Sequence, residues 1–208
     1  MTDKYIVKEV SRLDEVIEAY AFIRSYFPPR QVLEVGWFID CWQAGVLRVV
    51  TVSNTEGLLV STGGLFHWKE DNLCDIYQLC YQAVLPRYRG QGIGSAIFHH
   101  LLNLAAEQNP DAPVLALMTH PEDSHEDTSF AQEELYGDAA ARYRFYTETK
   151  HGFPVGGPDA RVELPELHRG IGSPTGQIAV SVGEVPLSEQ ALDALLKVAF
   201  KRLEGRTD

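Results

Sequence analysis

The sequence predicts an α/β fold of mixed α+β character, a central twisted mixed sheet flanked by helices with an extra helix at the C-terminus. Strand-like and helix-like periodicities alternate along the chain. Two β-rich runs, residues 46–52 and 58–68, flank the turn-forming segment Ser53-Asn54-Thr55-Glu56-Gly57 as an antiparallel hairpin. A strand-like run closed by Pro86 then passes through a glycine-rich turn into an amphipathic helix.

In chain order, residues 5–10 read as a first strand. Leu13, Val16, Ile17, Tyr20, Ala21 and Ile23 recur at helical spacing up to a Pro28-Pro29 break. A second helix carries Val32, Val35, Phe38, Ile39 and Trp42, and the hairpin follows. Residues 75–85 alternate less cleanly but have strand composition, residues 95–107 form the helix after the glycine turn, and residues 114–119 are a further strand. Residues 140–153 are helical up to a glycine stop at Gly152 with Phe153 beyond it. Short strands at 160–164 and 177–182 and an amphipathic helix at 188–203 complete the order, without internal repeats or low-complexity tracts.

Composition sets bounds. At 208 residues and 45% hydrophobic content, residues 1–208 suit one domain, with a core of about 4–182 and a helical extension at 187–203 that serves as a packing element or as an oligomer contact in a homodimer. The first fifteen residues are charged throughout and no apolar run approaches the ~20 residues of a membrane span, so a soluble, cytoplasmic protein with no membrane partner is expected. Three cysteines, Cys41, Cys74 and Cys80, make an odd number with no Cys-x-x-Cys pair, which reads as reduced, packed thiols. A formal charge of -11 excludes nucleic acid as a partner and favours cationic ones. Much of the acid is local: Glu122, Asp123, Glu126, Asp127, Glu133, Glu134 and Asp138 crowd a long connection at 121–138. The ordinary use of such a run is a solvated loop; long loops also serve as lids and binding loops.

Residues 87–94 read Arg-Tyr-Arg-Gly-Gln-Gly-Ile-Gly. A glycine-rich turn opening a helix aims several backbone N–H groups and the positive end of the helix dipole at one place, which suits an anion. Arg87 and Arg89 add positive charge, and Gly90, Gly92 and Gly94 remove side chains that would hold a phosphate away. Ile97 stands where a dinucleotide fingerprint needs its third glycine, and no Lys-Ser/Thr pair follows to make a nucleotide P-loop.

The segment Arg89-Gly90-Gln91-Gly92-Ile93-Gly94 resembles the Arg/Gln-x-x-Gly-x-Gly/Ala signature of the Gcn5-related N-acetyltransferases, the GNAT superfamily. Residues 140–153 resemble that family's second segment, Ala-x-x-x-Tyr/Phe-Tyr-x-x-x-Gly-Phe, with Phe145, Tyr146, Gly152 and Phe153 in place and one extra residue between Tyr146 and Gly152. The resemblance implies a co-substrate, acetyl-CoA, with its pyrophosphate on the backbone of Gln91, Gly92, Ile93 and Gly94, its pantetheine along Ala83, Val84 and Leu85, and a further contact at Phe145. It implies N-acetyl transfer to a primary amine by direct attack on the thioester. Transfer of a longer acyl group from CoA or a carrier protein, and a non-catalytic CoA-binding sensor, are the alternatives.

That chemistry needs a donor for the leaving sulfur, a donor for the developing oxyanion and a route for the amine proton. The resemblance assigns the first to Tyr146, whose ordinary alternative is a core tyrosine beside Tyr143 and Phe145. Asp75, Tyr81, His67 and His120 are the candidates for a base, with His120 foremost because it follows the strand at 114–119 and titrates near neutrality. Water can replace all four. His99-His100 on one helix face different directions, and His120, His125, Glu122, Asp123 and Asp127 lack the spacing of a known site, so no metal is expected. The net charge and the acidic connection point to a small cationic amine as the acceptor.

Overall fold

The structure, a computed structural model, describes residues 4–71, 74–119, 139–164 and 177–204. Four strands, β1 (Tyr5–Glu9), β2 (Leu47–Asn54), β3 (Leu59–Glu70) and β4 (Cys74–Val84), run as an antiparallel meander. Next to β4 lies β5 (Val114–Thr119), parallel to it because the long helix α3 (Ile93–Gln108) carries the chain back across the sheet. β7 (Gln177–Ser181) pairs antiparallel with β5, and the two-residue β6 (Phe153–Pro154) forms the edge, giving the order β1-β2-β3-β4-β5-β7-β6.

Alternation along the strands divides the core in two. On one face, α1 (Leu13–Tyr26) buries Val16, Ala19, Ile23 and Tyr26, and α2 (Val35–Gln43) buries Trp37, Phe38 and Cys41. Leu115 and Ala179 reach this layer, whereas their strand neighbours Val114, Ala116, Ile178 and Val180 reach the other, under Ile93, Ile97, Phe98 and Leu101 of α3. α1 ends at Phe27, which takes the extended backbone that a following proline favours.

Three boundaries differ from the sequence reading. Val32 and Leu33 precede α2, because a short 3₁₀ turn, Pro29–Gln31, occupies the stretch after the prolines. The strand expected at 160–164 reduces to a single bridge between Val162 and Gln177, since β7 already pairs with β6, after which Gly156 and Gly157 turn the chain with positive φ. The helix at 140–153 is α-helical only over α4 (Ala139–Arg144) and continues as a π turn, Phe145–Thr149, in which the Lys150 N–H reaches the Phe145 carbonyl at 3.0 Å. The C-terminal helix α5 (Glu189–Glu204) packs on β3 and β4 and buries Leu192, Leu195 and Val198, with Ser188 Oγ accepting the Ala191 N–H at 3.1 Å as its cap.

Candidate active site

A bulge in β4 opens the sheet. Gly64 pairs with Cys80 and Thr62 with Ala83, so Tyr81 and Gln82 together face Gly63. Tyr81 absorbs the extra residue with a φ of 53°, a left-handed backbone that costs a non-glycine residue about 1–3 kcal/mol. Packing holds it there: its ring lies 5.9 Å from Phe27, 5.9 Å from Phe38 and 6.4 Å from Phe66, and its hydroxyl accepts the Leu33 N–H at 3.2 Å. Gly63 has no room for a side chain, because a Cβ would stand 2.6 Å from Ile97 and 3.0 Å from Leu101. Cys80 and Tyr81 therefore both join the α1–α2 layer, and Gln82 turns to the α3 face.

Past the bulge, β4 and β5 part. They pair only at Tyr77 with Val114, Gln78 with Leu115 and Leu79 with Ala116, although β4 runs on to Val84 and β5 to Thr119. The opening lies at the carboxyl ends of two parallel strands, where open α/β sheets bind ligands. On its other edge β4 stays fixed to β3: Ser61 Oγ donates to the Ala83 carbonyl at 2.6 Å and the Leu85 N–H to the Val60 carbonyl at 2.9 Å. Ala83, Val84 and Leu85 thus form a rigid lip of the crevice.

The glycine turn continues from that lip. Gly90 and Gly92 have φ of 73° and 80°, which only glycine adopts without strain. The first helical bond of α3 runs from the Ala96 N–H to the Gly92 carbonyl, so the preceding N–H groups have no intrahelical partner. Gly94 is not required by packing: a Cβ there would have Val84 at 3.8 Å and Gln82 Nε2 at 3.9 Å as its nearest neighbours. Bare backbone that packing does not crowd, beside a helix N-terminus, fits a phosphate group.

Arg89 donates from Nε to the Val84 carbonyl at 3.1 Å. Burial lowers its guanidinium from the usual value, the nearby Tyr26 phenol opposes this, and the positive charge of Arg142 adds to it. Arg87, whose guanidinium lies 5.2 Å from the centre of the Tyr88 ring, also acts on Tyr26. Like charges gathered near one turn are relieved by an anion.

Across the crevice, the π turn presents Tyr146. Its hydroxyl donates to Gln82 Oε1 at 2.8 Å, and Gln82 Nε2 donates to the Gly94 carbonyl at 2.6 Å, which joins β4, the glycine turn and the π turn in one chain of hydrogen bonds. Burial pushes the Tyr146 phenol well up, against the pull of Arg142 and with a smaller contribution from Cys80. Phe98 positions the ring at 6.1 Å and Phe145 at 5.1 Å.

The extra residue before Gly152 is taken up by the wider turn, and the left-handed stop falls on His151 (φ 55°), not on Gly152. Gly152 is small for another reason: a Cβ would lie 2.8 Å from the Ser181 and Tyr146 carbonyl oxygens.

The expected site residues separate into two groups. Ala83, Val84, Leu85, Arg87, Arg89, Gly90, Gln91, Gly92, Ile93 and Gly94 follow one another around the crevice and turn, with Phe145 and Tyr146 on the facing π turn. Asp75 lies eight residues before Ala83, roughly 26 Å along the strand at ~3.3 Å per residue, near the start of β4. Its carboxylate is bonded to His67 Nε2 at 2.7 Å and accepts from Asn109 Nδ2 at 3.0 Å, so neither Asp75 nor His67 is brought to the crevice. His120 lies outside the described residues; it follows Thr119, whose hydroxyl accepts from Gln31 Nε2 and Gln177 Nε2, each at 3.1 Å. Sequence reasoning missed Gln82, because period-2 counting through an unseen bulge gives the wrong face. Among the described residues, no group of His, Cys, Asp and Glu could hold a metal ion, and no helix is long and apolar enough to cross a membrane.

The sequence model of the acetyltransferase (GNAT) family matches residues 17–136, more than half of the 208 residues. The chain belongs to the GNAT acetyltransferase family. It is an acyltransferase of the class that draws its acyl group from coenzyme A. No curated protein matches the acetyltransferase by sequence. By fold it is similar to Escherichia coli ElaA, at 14% identity over 85% of this chain and 98% of that one, with a TM-score of 0.54. A GNAT-family acetyltransferase from Staphylococcus aureus Mu50 has 14% identity over 85% and 99% of the two chains, with a TM-score of 0.53. FeeM, an N-acyl amino acid synthase from uncultured soil microbes, has 12% identity over 88% and 93%, with a TM-score of 0.54. At such identities the likeness is one of fold.

Proposed function

We propose that the acetyltransferase moves an acetyl group from acetyl-CoA to the primary amine of a small cationic molecule, acting as one cytoplasmic domain of residues 1–208. The observation that carries this reading is the alignment of the glycine turn, the splayed edge of β4 and the Tyr146 hydroxyl around one crevice. Bound acetyl-CoA supplies the acyl group, its thioester carbonyl taking the amine and its sulfur leaving as the thiol. The backbone N–H groups of Gln91 to Gly94 hold the pyrophosphate, with Arg87 and Arg89 supplying charge. The edge of Ala83 to Leu85 that β5 leaves unpaired, with Arg89 giving up the Val84 carbonyl, receives the pantetheine amides as an added strand would be received, and Phe145 packs beside it.

Tyr146 gives its Oη proton to the departing sulfur and recovers one from solvent. The attacking nitrogen enters as a neutral amine, having lost its ammonium proton to water or through water to His120, and sheds a second proton as the amide forms. The acidic stretch Glu122, Asp123, Glu126 and Asp127 favours a cationic acceptor by long-range attraction. The ring of Tyr81 among Phe27, Phe38 and Phe66 fills the layer below the bulge, which supports a short acyl group over a long one.

An amine-library screen with acetyl-CoA and thiol release as the readout tests the activity. Acetyl-CoA at ~100 times its Kd should stabilise the protein by roughly 2.7 kcal/mol, seen as a rise in Tm, and Gly94→Val should abolish the rise. Tight binding without turnover of any amine would leave a CoA sensor; an undiminished response in Gly94→Val would reject the phosphate site.

A further inference from the structure

The phosphate turn is exposed at Arg87, Gly90 and Gln91 and contains two left-handed glycines, so little packing and much backbone freedom have to be overcome by specific ties. One tie comes from the far edge of the sheet. Tyr5, the first residue of the edge strand β1, donates its hydroxyl to Gln91 Oε1 at 2.5 Å across 86 positions of sequence. The orientation of the amide is set by its other end, because Gln91 Nε2 donates to the Arg87 carbonyl at 3.3 Å, leaving Oε1 to accept. The Gln91 side chain thereby staples the start of the turn to its middle, and Tyr5 staples both to the sheet.

A second contact runs beside the first. The Tyr5 ring meets Tyr88 edge-on at 6.3 Å, and the Tyr88 hydroxyl bonds Asn54 Nδ2 at 3.3 Å. Asn54 is itself fixed by the hairpin turn, its Oδ1 accepting the Glu56 and Leu58 N–H groups at 3.1 and 2.9 Å. Tyr88 in turn carries the Arg87 guanidinium over its face at 5.2 Å. The side chains of the turn are therefore anchored on β1 and on the end of β2.

We propose that Tyr5 is a positioning residue of the CoA site: its hydroxyl, acting through Gln91, holds the backbone N–H groups of the turn in their phosphate-binding arrangement. The inference rests on the reading of the turn as the CoA phosphate site. It makes the edge strand β1, distant from the reacting atoms, part of the co-substrate's binding machinery.

Tyr5→Phe keeps the ring against Tyr88 and removes only the hydroxyl. The KM for acetyl-CoA should rise roughly threefold to tenfold, the scale of one hydrogen bond, with kcat and the KM for the amine little changed. The acetyl-CoA-induced rise in Tm should shrink while the Tm of the free protein holds. Because Tyr5 acts through Gln91, adding Tyr5→Phe to Gln91→Met should change nothing further. An unchanged KM for acetyl-CoA, an equal rise in both KM values, or full additivity with Gln91→Met would overturn the positioning role. Gly94→Val separates the two levels: if that variant loses acetyl-CoA binding while Tyr5→Phe behaves as wild type, Tyr5 alone is rejected; if it binds normally, the phosphate reading falls and the role of Tyr5 with it.

Discussion

The Tyr146 hydroxyl donates to Gln82 Oε1 at 2.8 Å, and the amide cannot turn over to return the bond, because its Nε2 is held by the Gly94 carbonyl at 2.6 Å. In the free enzyme the phenol therefore keeps its proton and directs it at a neutral amide oxygen. A thioester sulfur is a poor acceptor, whereas a leaving thiolate carries charge and competes well for the same proton. In the proposed role of Tyr146, the bond to sulfur would be made mainly as the C–S bond breaks, which is where it would accelerate the reaction.

Tyr146→Phe should accordingly lower kcat by about 10²-fold with the KM for acetyl-CoA nearly unchanged. Single-turnover thiol release, which isolates the chemical step, is the measurement. An unaltered rate would return Tyr146 to a packing role.

Gly152→Ala should be costly although alanine is small. The new methyl would sit 2.8 Å from two backbone oxygens and from Val180 Cγ1, and backbone cannot move aside as a flexible side chain can. A destabilisation of about 1–3 kcal/mol is expected from such overpacking. Urea unfolding should show it as a lower midpoint, with reduced kcat because the Gly152 N–H is bonded to the Tyr146 carbonyl at 2.8 Å.

Stability should fall above pH ~10, where unfolded tyrosines ionise. Burial raises the phenols of Tyr81 and Tyr146 in the fold, so the folded state keeps protons that the unfolded state releases. Their contribution is complete below the unfolded value and is lost as pH climbs through the folded one. Urea midpoints between pH 8 and pH 11 should decline, and Tyr81→Phe should make the decline shallower than in wild type; equal slopes would contradict this.

Acetyl-CoA should be preferred over octanoyl-CoA by at least about tenfold in kcat/KM, because the layer beneath the bulge is filled. Phe27→Ala removes the ring 5.9 Å from Tyr81 and should narrow the preference. A wild-type enzyme that handles both equally would point to a long-chain acyl donor.

Raising salt from 0.1 M to 1 M shortens the Debye length from about 10 Å to about 3 Å. If carboxylates steer a cationic acceptor, its KM should rise more than that for acetyl-CoA, and neutralising Glu122, Asp123, Glu126 and Asp127 together should mimic the salt. His120→Ala should shift the acidic limb of the pH–rate profile. A preference for anionic acceptors would refute the steering, and an identical profile would remove His120.

Much of the fold was legible because local signals agreed with tertiary ones. The Asn54–Gly57 turn, the Pro28-Pro29 break and the glycine turn all punctuate the chain where elements end. The crevice was legible at the turn, where glycine spacing states a backbone requirement, but not at the bulge, since nothing in Cys80-Tyr81-Gln82 announces that two residues will face one. Tyr81 adopts its left-handed backbone only because three aromatic rings and the Leu33 N–H receive it, and those partners come from four separate positions far from it in sequence. Asp75 stands apart from the crevice for a related reason. It lies on β4, but position along a strand is a distance, and the sequence does not say at which end β4 and β5 part. The π turn shows the reverse case, an apparent spacing defect that local backbone geometry absorbs.

The parting of β4 and β5 leaves an unpaired strand edge inside the sheet, between two strands that are each paired on their outer sides. Open edges are where foreign strands add, and sheet proteins ordinarily blunt or cover theirs. A co-substrate that lines this edge with its own amides would act as a cover as well as an acyl donor. The concentrated protein should keep in solution longer with coenzyme A present than without it, and its tendency to self-associate should follow the occupancy of the crevice more closely than the overall folding stability.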